Sequence, residues 1–216
     1  MRRSTVLLGS MIGFAVLYLA GTAALGSFPK ATDSGQSVRA WFADNGGHVH
    51  LALLFITFGL VLYAVYAAII RSALPSPFGD VFLVGAIALI VETVVQGWFL
   101  AGLSLHPAQL QPATARTLLD VAVFWGPLLT GATITMMLPI AVLSFQRRAG
   151  LAPWLGVITV IAIVEQAIET VTIFGSHGFT APGGPMNLIL GAGLVTIVFI
   201  CVGIAVARSL ADEPAV

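Results

Sequence analysis

Three carboxylate side chains lie inside apolar segments of this sequence, in positions where a charge is costly. Glu165 and Glu169 are one helical turn apart in the apolar run 151–174, and Glu92 lies in the run 80–102. An ionised side chain at the centre of a bilayer costs about 2.5–3.5 kcal/mol on insertion scales. Two glutamates one turn apart also repel each other, so we expect at least one of them to carry a proton.

Amide side chains and a further carboxylate accompany these glutamates. Gln166 follows Glu165 directly, Gln96 lies one helical turn after Glu92, and Asp120 lies near the start of another apolar segment. Residues at i and i+4 share one helix face. The pair Glu92 and Gln96 and the pair Glu165 and Glu169 are therefore each expected to face the interior of a helical bundle. The predicted ligand or cation pocket is Glu92, Gln96, Asp120, Glu165, Gln166 and Glu169. The alternative interpretation is that these residues only form hydrogen bonds that hold membrane helices together.

Each member of this pocket has an expected role. Glu92 and Glu165 would be the central ligands or proton acceptors, and Glu169 and Asp120 would line the entrance. The two glutamines would orient the carboxylates through hydrogen bonds. No lysine or arginine lies within any apolar segment to neutralise them, which leaves protons, water or a bound cation as the compensating group.

The composition of the chain is that of a membrane protein. Of its 216 residues 58% are hydrophobic and 8% are charged, whereas soluble domains are typically about 25% charged. The net charge is zero, which argues against nucleic acid as a partner. The single cysteine, Cys201, excludes an intramolecular disulfide and a multi-cysteine metal site.

Six apolar segments are long enough to cross a bilayer as helices. At about 1.5 Å per residue, about 20 residues cross a hydrocarbon core of about 30 Å. The predicted spans are residues 5–26, 48–70, 80–102, 117–145, 151–174 and 185–207. The sequence therefore predicts an all-α, polytopic membrane helical bundle that forms one integral membrane domain over residues 1–216.

The N-terminal part of the chain has two further features. The first span is an alternative candidate for a cleaved signal peptide, since small residues follow it at 23–27. Its apolar run is longer than the usual 7–15 residues of such a peptide, which favours a retained span. The polar stretch 27–47 is predicted to be an exterior loop, with a short interfacial helix from Val38 to Phe42.

Proline positions predict irregularities in the fourth span. Pro127 and Pro139 lie inside the apolar run 117–145 and are expected to kink it or to free backbone carbonyls. After the sixth span, residues 209–216 are expected to form a short tail.

The basic residues predict an orientation. Cytoplasmic segments of membrane proteins carry an excess of lysine and arginine. With the N-terminus in the cytoplasm, the cytoplasmic basic residues are Arg2, Arg3, Arg71, Arg147, Arg148 and Arg208, and the outer ones are Lys30, Arg39 and Arg116. Both termini are then cytoplasmic, the protein is a multi-pass protein of the inner (plasma) membrane, and its pocket opens to the exterior.

The sequence does not assign a metal ion or a cofactor. The carboxylates with His48 or His50 would offer oxygen and imidazole ligands, which suit hard or transition-metal cations. No two histidines have the i, i+4 spacing of a helical zinc pair.

Three functional hypotheses follow from these residues. The first is an exterior-facing acidic pocket that binds or transports a cation, a proton or a small organic cation. The alternative is a non-catalytic accessory or scaffold subunit of a larger membrane complex, with the glycine-rich first and sixth spans as partner faces. A membrane enzyme acting on lipid is the weakest, because the chain has no phosphate-binding glycine loop and no nucleophile elbow, and no catalytic residue is assigned. The expected partners are the lipid bilayer and a second copy or another membrane protein.

Four short stretches carry a resemblance to a known group of proteins. They are residues 38–45 (VRAWFADN), 68–74 (AIIRSAL), 114–120 (TARTLLD) and 147–156 (RRAGLAPWLG). With these stretches the chain resembles an uncharacterised actinobacterial family of small multi-pass membrane proteins with about six helices. The resemblance covers the topology over nearly the full length. It implies a six-helix protein of the inner membrane and carries no assigned reaction.

Overall fold

The computed structural model describes residues 2–212, whose regular structure is helical. The α-helices are α1 (Arg3–Leu25), α2 (Gly35–Ala73), α3 (Phe78–Leu105), α4 (Pro112–Val123), α5 (Trp125–Phe145), α6 (Pro153–Glu169) and α7 (Ala192–Asp212). Short 3₁₀ helices lie at Pro107–Gln109, Thr170–Phe174 and Gly178–Thr180, and a π-helical turn at Met186–Gly191. The prediction of an all-helical chain with six helical segments long and apolar enough to cross a membrane is confirmed.

Consecutive spans pack side by side around a central core. The packed pairs are α1 with α2, α2 with α3, α3 with α5, and α5 with α6, and α7 returns to contact α1. Tyr63 and Tyr66 of α2 are buried in the centre. The Tyr63 hydroxyl donates to the Met136 sulfur at 3.0 Å, and the Tyr66 hydroxyl donates to the Phe199 carbonyl at 2.8 Å. These bonds join α2 to α5 and α7 across the core.

The loop predicted at residues 27–47 is wrong from Gly35 onward, because α2 already begins there. The short helix predicted from Val38 to Phe42 is helical, but it is part of α2 and not a separate element. Ser34 caps the helix, its side chain accepting a hydrogen bond from the Ser37 N–H at 3.1 Å. No proline lies between Gly35 and Ala73. Val38 and Phe42 lie one turn apart and are fully buried in a second apolar cluster with α3 and α4. This burial stabilises a helix that its polar residues alone do not predict.

The fourth span is interrupted just before Pro127, one of the two prolines that predict an irregularity, since a proline disrupts the helix hydrogen bond to the residue four positions earlier. It begins at Pro112 and breaks at Phe124, which separates α4 from α5. Pro127 lies in the first turn of α5, where a missing N–H costs little. Pro139 lies inside α5, which continues through it as a helix.

The fifth and sixth spans lose regular α-helix where they approach each other. Residues 170–174, predicted as part of the fifth span, form a 3₁₀ helix, and the sixth span begins with a π-helical turn. The predicted tail at 209–216 is helical as far as Asp212, and residues 213–216 lie outside the described residues. Non-α turns of this kind are frequent at functional sites.

Arg116 fastens the loop before α2 to α4. Its guanidinium donates to the Asp33 carbonyl at 2.7 Å and to the Ala31 carbonyl. It also forms a salt bridge with Asp120, the distance between Arg116 Nη2 and Asp120 Oδ1 being 2.5 Å. One planar side chain thus holds the loop to α4.

Arg116→Lys is expected to loosen this loop. A lysine ammonium cannot reproduce the forked geometry with which the guanidinium reaches two carbonyls and a carboxylate. Each hydrogen bond to a charged group that is lost lowers the free energy of unfolding by up to about 3 kcal/mol. Backbone amides near residue 33 should exchange hydrogen faster, and the thermal midpoint should fall. The control is Arg39→Lys, since Arg39 makes one long bond, 3.4 Å, to the Leu110 carbonyl. Equal exchange in both variants would contradict the role of Arg116.

Candidate functional site

The candidate site lies where α6 meets α5 and the π-helical turn. Glu165, Gln166 and Glu169 come from the end of α6, and Asn187 comes from the π-helical turn. Their exposed fractions are 8%, 3%, 3% and 5%, respectively. Polar groups buried this deeply need hydrogen-bond partners. With Thr133 and Thr172 these residues form what we call the carboxylate–amide network.

Gln166 joins the two carboxylates. Its Nε2 donates to Glu165 Oε2 at 2.9 Å and to Glu169 Oε2 at 2.5 Å. Its Oε1 accepts a hydrogen bond from the Thr133 hydroxyl of α5. The Gln166 amide group therefore donates to both carboxylates, which repel each other when both are ionised. The hydrogen bond from Thr133 holds this amide against α5.

Asn187 holds Glu169 from the opposite side. Its Nδ2 donates to Glu169 Oε1 at 2.6 Å and to Thr172 Oγ1 at 3.3 Å. Its Oδ1 accepts from the Gly183 N–H at 2.9 Å. Both oxygens of Glu169 thus accept hydrogen bonds from amide nitrogens, and the site is linked directly to the loop before the sixth span.

Two glycines create the space for these side chains. A Cβ at Gly191 would overlap Glu169 Oε2 and would lie 2.9 Å from Gln166 Nε2. A Cβ at Gly126 would lie 3.0–3.2 Å from the side chain of Asn187. The backbones of the π-helical turn and of α5 therefore approach the network as closely as glycine permits.

Glu165 is the member of the network with an unsatisfied atom. Its Oε2 accepts from Gln166, whereas its Oε1 is buried and has no hydrogen-bond partner among the described residues. A buried polar atom without a partner is rare and calls for a physical explanation.

Of the six predicted pocket residues, Glu165, Gln166 and Glu169 are joined to one another by hydrogen bonds, whereas Glu92, Gln96 and Asp120 make no hydrogen bond to them within residues 2–212. Gln96 Nε2 donates to the Ala122 carbonyl at 3.2 Å, next to the break between α4 and α5. Asp120 is paired with Arg116 at the loop. Their predicted roles of orienting the ligand and lining the entrance are therefore not what their contacts show.

Glu92 is half-buried on α3, and α5 packs against α3 as well as against α6. Its Oε2 is buried without a hydrogen-bond partner among residues 2–212. The carboxyl makes no hydrogen bond to the carboxylate–amide network within those residues. Glu92 is thus a second buried carboxyl on another helix.

A metal site built from these carboxylates and the histidines does not assemble. His50 Nε2 lies 3.1 Å from the Ser104 hydroxyl and links α2 to α3. Within residues 2–212, no three His, Cys, Asp or Glu side chains come close enough to hold a metal ion. The hydrogen-bond donors to Glu165 and Glu169 are instead the side-chain amides of Gln166 and Asn187.

Asn187 is the functional residue that the sequence interpretation missed. It is an asparagine inside the otherwise apolar run 185–207, which is the same signal that identified the glutamates. Thr172 could be placed on the face of Glu165 and Glu169 from its i, i+4, i+7 spacing, whereas Thr133 and Gly191 carry no such signal, because threonine and glycine are common in membrane helices. Their role depends on which helices pack together.

Comparison of the chain with models of known protein families, with curated proteins and with solved structures finds no match. The resemblance to the actinobacterial membrane-protein family therefore stays a prediction. The features that define this chain are six helical segments able to cross a membrane and the buried carboxylate–amide network between the fifth and sixth of them.

Proposed function

We propose that the chain is a multi-pass membrane protein that binds one proton on Glu165, beside an ionised Glu169. Glu165 exchanges this proton with the exterior, and the proton is the ion that the protein transports or to which it couples another process. The single observation that carries the proposal is the buried, unpartnered Oε1 of Glu165. Every other oxygen of the two carboxylates and two amides already accepts a hydrogen bond.

Charge balance favours one proton on the pair. Glu165 and Glu169 are bridged by a single amide nitrogen, so two negative charges there would repel strongly in a medium of low dielectric constant. The salt bridges among residues 2–212 are Arg71–Asp80 and Arg116–Asp120, and neither involves the network. Glu169 is the better place for the charge, because both of its oxygens accept amide N–H groups.

The geometry suits a proton better than a metal ion. Hard divalent cations take about six or more oxygen ligands. Here the amide oxygens of Gln166 and Asn187 already accept hydrogen bonds, so one carboxylate oxygen without a donor is left. A small organic cation would need open space, whereas Gly126 and Gly191 have the network packed against their backbones.

Access from the exterior is supported by the position of Asn187. This residue connects Glu169 to the Gly183 N–H of the loop before the sixth span. The excess of arginine at the opposite end of the bundle favours a cytoplasmic location for that end, so this loop would face outward.

The proposal is tested by thermal unfolding of the detergent-solubilised protein across pH and across added cations. The folded protein would keep a proton that an unfolded glutamate already loses above its ordinary pKa of about 4.3, so its stability should fall as the pH rises above that value. Glu165→Gln should weaken this dependence, whereas the control Glu92→Gln should keep it. Added Na⁺, K⁺, Mg²⁺ or tetramethylammonium at constant ionic strength should leave the midpoint unchanged. A cation-induced rise that Glu165→Gln abolishes would replace the proton with that cation, and an unaltered pH dependence in Glu165→Gln would end the proposal.

The alternative function, an accessory subunit of a larger complex, is suggested by the glycines of the first and sixth spans. Several of these glycines contact other helices of the same chain. Gly13 and Gly21 of α1 face side chains of α2, and Gly203 of α7 faces Met11 and Tyr66. These glycines serve packing within the chain. Mild extraction followed by mass spectrometry distinguishes the two hypotheses, because a stoichiometric partner would favour the accessory subunit.

A further inference from the structure

A hollow of about 280 Å³ lies between the start of α6 and the end of α7, at the end of the bundle opposite to the network. Its floor and walls come from the last turns of α7, the first turn of α6 and the short loop before it. The lining residues are Gly150, Ala152, Trp154, Ala205, Arg208, Ser209 and Asp212. None of them belongs to the carboxylate–amide network.

The hollow presents both a cation and an anion. Arg208 and Asp212 lie one turn apart on α7 and are both exposed. They are not paired with each other in the part of the chain that the structure describes. Ser209 adds a hydroxyl between them. A ligand that fits must therefore offer an anionic group to Arg208 and a hydrogen-bond-donating cationic group to Asp212.

An apolar surface continues from the hollow toward the middle of the bundle. Ile204 lies one turn before Arg208 and is 37% exposed, and Val157 lies one turn after Trp154 and is 51% exposed. Trp154 itself is 56% exposed, and tryptophan in membrane proteins concentrates at the level of the lipid headgroups. The ligand therefore combines a polar head with a hydrocarbon chain.

We propose that this hollow binds a phospholipid through a phosphoethanolamine headgroup. Arg208 and Ser209 hold the phosphate, because a guanidinium matches phosphate oxygens with a charged, bidentate geometry. Asp212 accepts hydrogen bonds from the ammonium, which a two-carbon linker keeps close to the phosphate. The acyl chain lies along Ile204 and Val157, and Trp154 contacts the glycerol region. Basic pockets between membrane helices on the cytoplasmic side bind the phosphates of anionic lipid headgroups, and Asp212 adds to this hollow an acceptor for an ammonium group.

The site does not depend on the proposed proton function, since it involves none of the same residues. It also differs from general attraction of lipids to arginine. Arg147 and Arg148 lie in the adjacent turn and are exposed, but they do not line the hollow. They provide a matched control of the same charge at the same end of the bundle.

The test is native mass spectrometry of the purified full-length chain with phosphatidylethanolamine, phosphatidylcholine and phosphatidylglycerol of identical acyl chains. Phosphatidylethanolamine should be retained several-fold more than the other two. Arg208→Gln should lower retention of all three lipids, and Asp212→Asn should remove the preference over phosphatidylcholine, whose trimethylammonium cannot donate a hydrogen bond. Ala205→Phe should fill the hollow and lower retention without changing any charge. Arg147→Gln should retain the lipid as the wild type does.

Three outcomes would overturn the proposal. Equal retention of the three lipids by the wild type would show that the headgroup is not recognised. Unchanged retention in both Arg208→Gln and Ala205→Phe would show that the hollow is not the site. Displacement of the lipid by inorganic phosphate or soluble phosphoethanolamine at low concentration would assign the hollow to a soluble phosphate compound.

Discussion

Glu169→Gln is expected to destabilise the purified protein much more than Glu165→Gln does. Both oxygens of Glu169 accept amide hydrogens, at 2.5 Å from Gln166 and at 2.6 Å from Asn187. A glutamine at this position would place its own NH₂ group against one of these two amide donors. That donor would then have no acceptor, at a cost of about 1–3 kcal/mol. In Glu165→Gln the amide oxygen can still accept from Gln166, and the new NH₂ group occupies the side that has no partner.

The measurement is the thermal midpoint in a mild detergent, for both variants and for Glu92→Gln as the control. Glu92 is a half-buried carboxyl on α3 with no bond to the network among residues 2–212. We expect a large drop for Glu169→Gln and small changes for the other two. Equal drops for Glu165→Gln and Glu169→Gln would contradict the different roles of the two carboxylates.

Gly191→Ala is expected to have an effect as large as that of Glu169→Gln. The added methyl group would overlap Glu169 Oε2 and crowd Gln166 Nε2, so Glu169 would have to move away from both amides. Overpacking of this kind typically costs about 1–3 kcal/mol. The pH dependence of stability should weaken at the same time, because the two carboxylates are then no longer bridged.

Gly193→Ala is the matched control for this substitution. A Cβ at Gly193 meets no atom within 4 Å, and alanine is favoured over glycine in a helix by about 0.8–1.0 kcal/mol. Its midpoint should be equal to or above that of the wild type. In addition, Gly191→Ala should cost less in a Glu169→Ala background, where the space is free, because neighbouring sites are not additive. Full additivity would show that the methyl group acts elsewhere.

The sequence predicts the helices well where composition alone decides them. Apolar runs of about 20 residues have few alternatives to transmembrane helices, so the six helical segments could be located. In the stretch from Gly35 to Gly47 only the part from Val38 to Phe42 is predicted to be helical, since the full helix depends on the Ser34 cap and on the burial of Val38 and Phe42 against other helices. Tertiary contacts there override the local preference of glycine and polar residues.

The residues at the centre of the site could be predicted from the sequence, but the other residues that contact them could not. Glu165, Gln166 and Glu169 stand out because charged or amide side chains are costly in an apolar run. The i, i+4 spacing gives the face of a helix but not the helix that packs against it. Gln96 meets a carbonyl beside the break at Phe124. Pro127 predicts a break in this region, but it does not predict which side chain of another helix reaches the carbonyls there.

The most direct test of the account is the protonation state of Glu165 in the membrane-embedded protein. Infrared spectroscopy detects the carbonyl stretch of a protonated carboxyl group, and hydrogen–deuterium exchange shifts this band. Near neutral pH we expect the wild type to show one component of this band that is due to Glu165, and we expect Glu165→Gln to remove that component. A band of equal intensity in the wild type and Glu165→Gln would contradict the claim that Glu165 carries the proton.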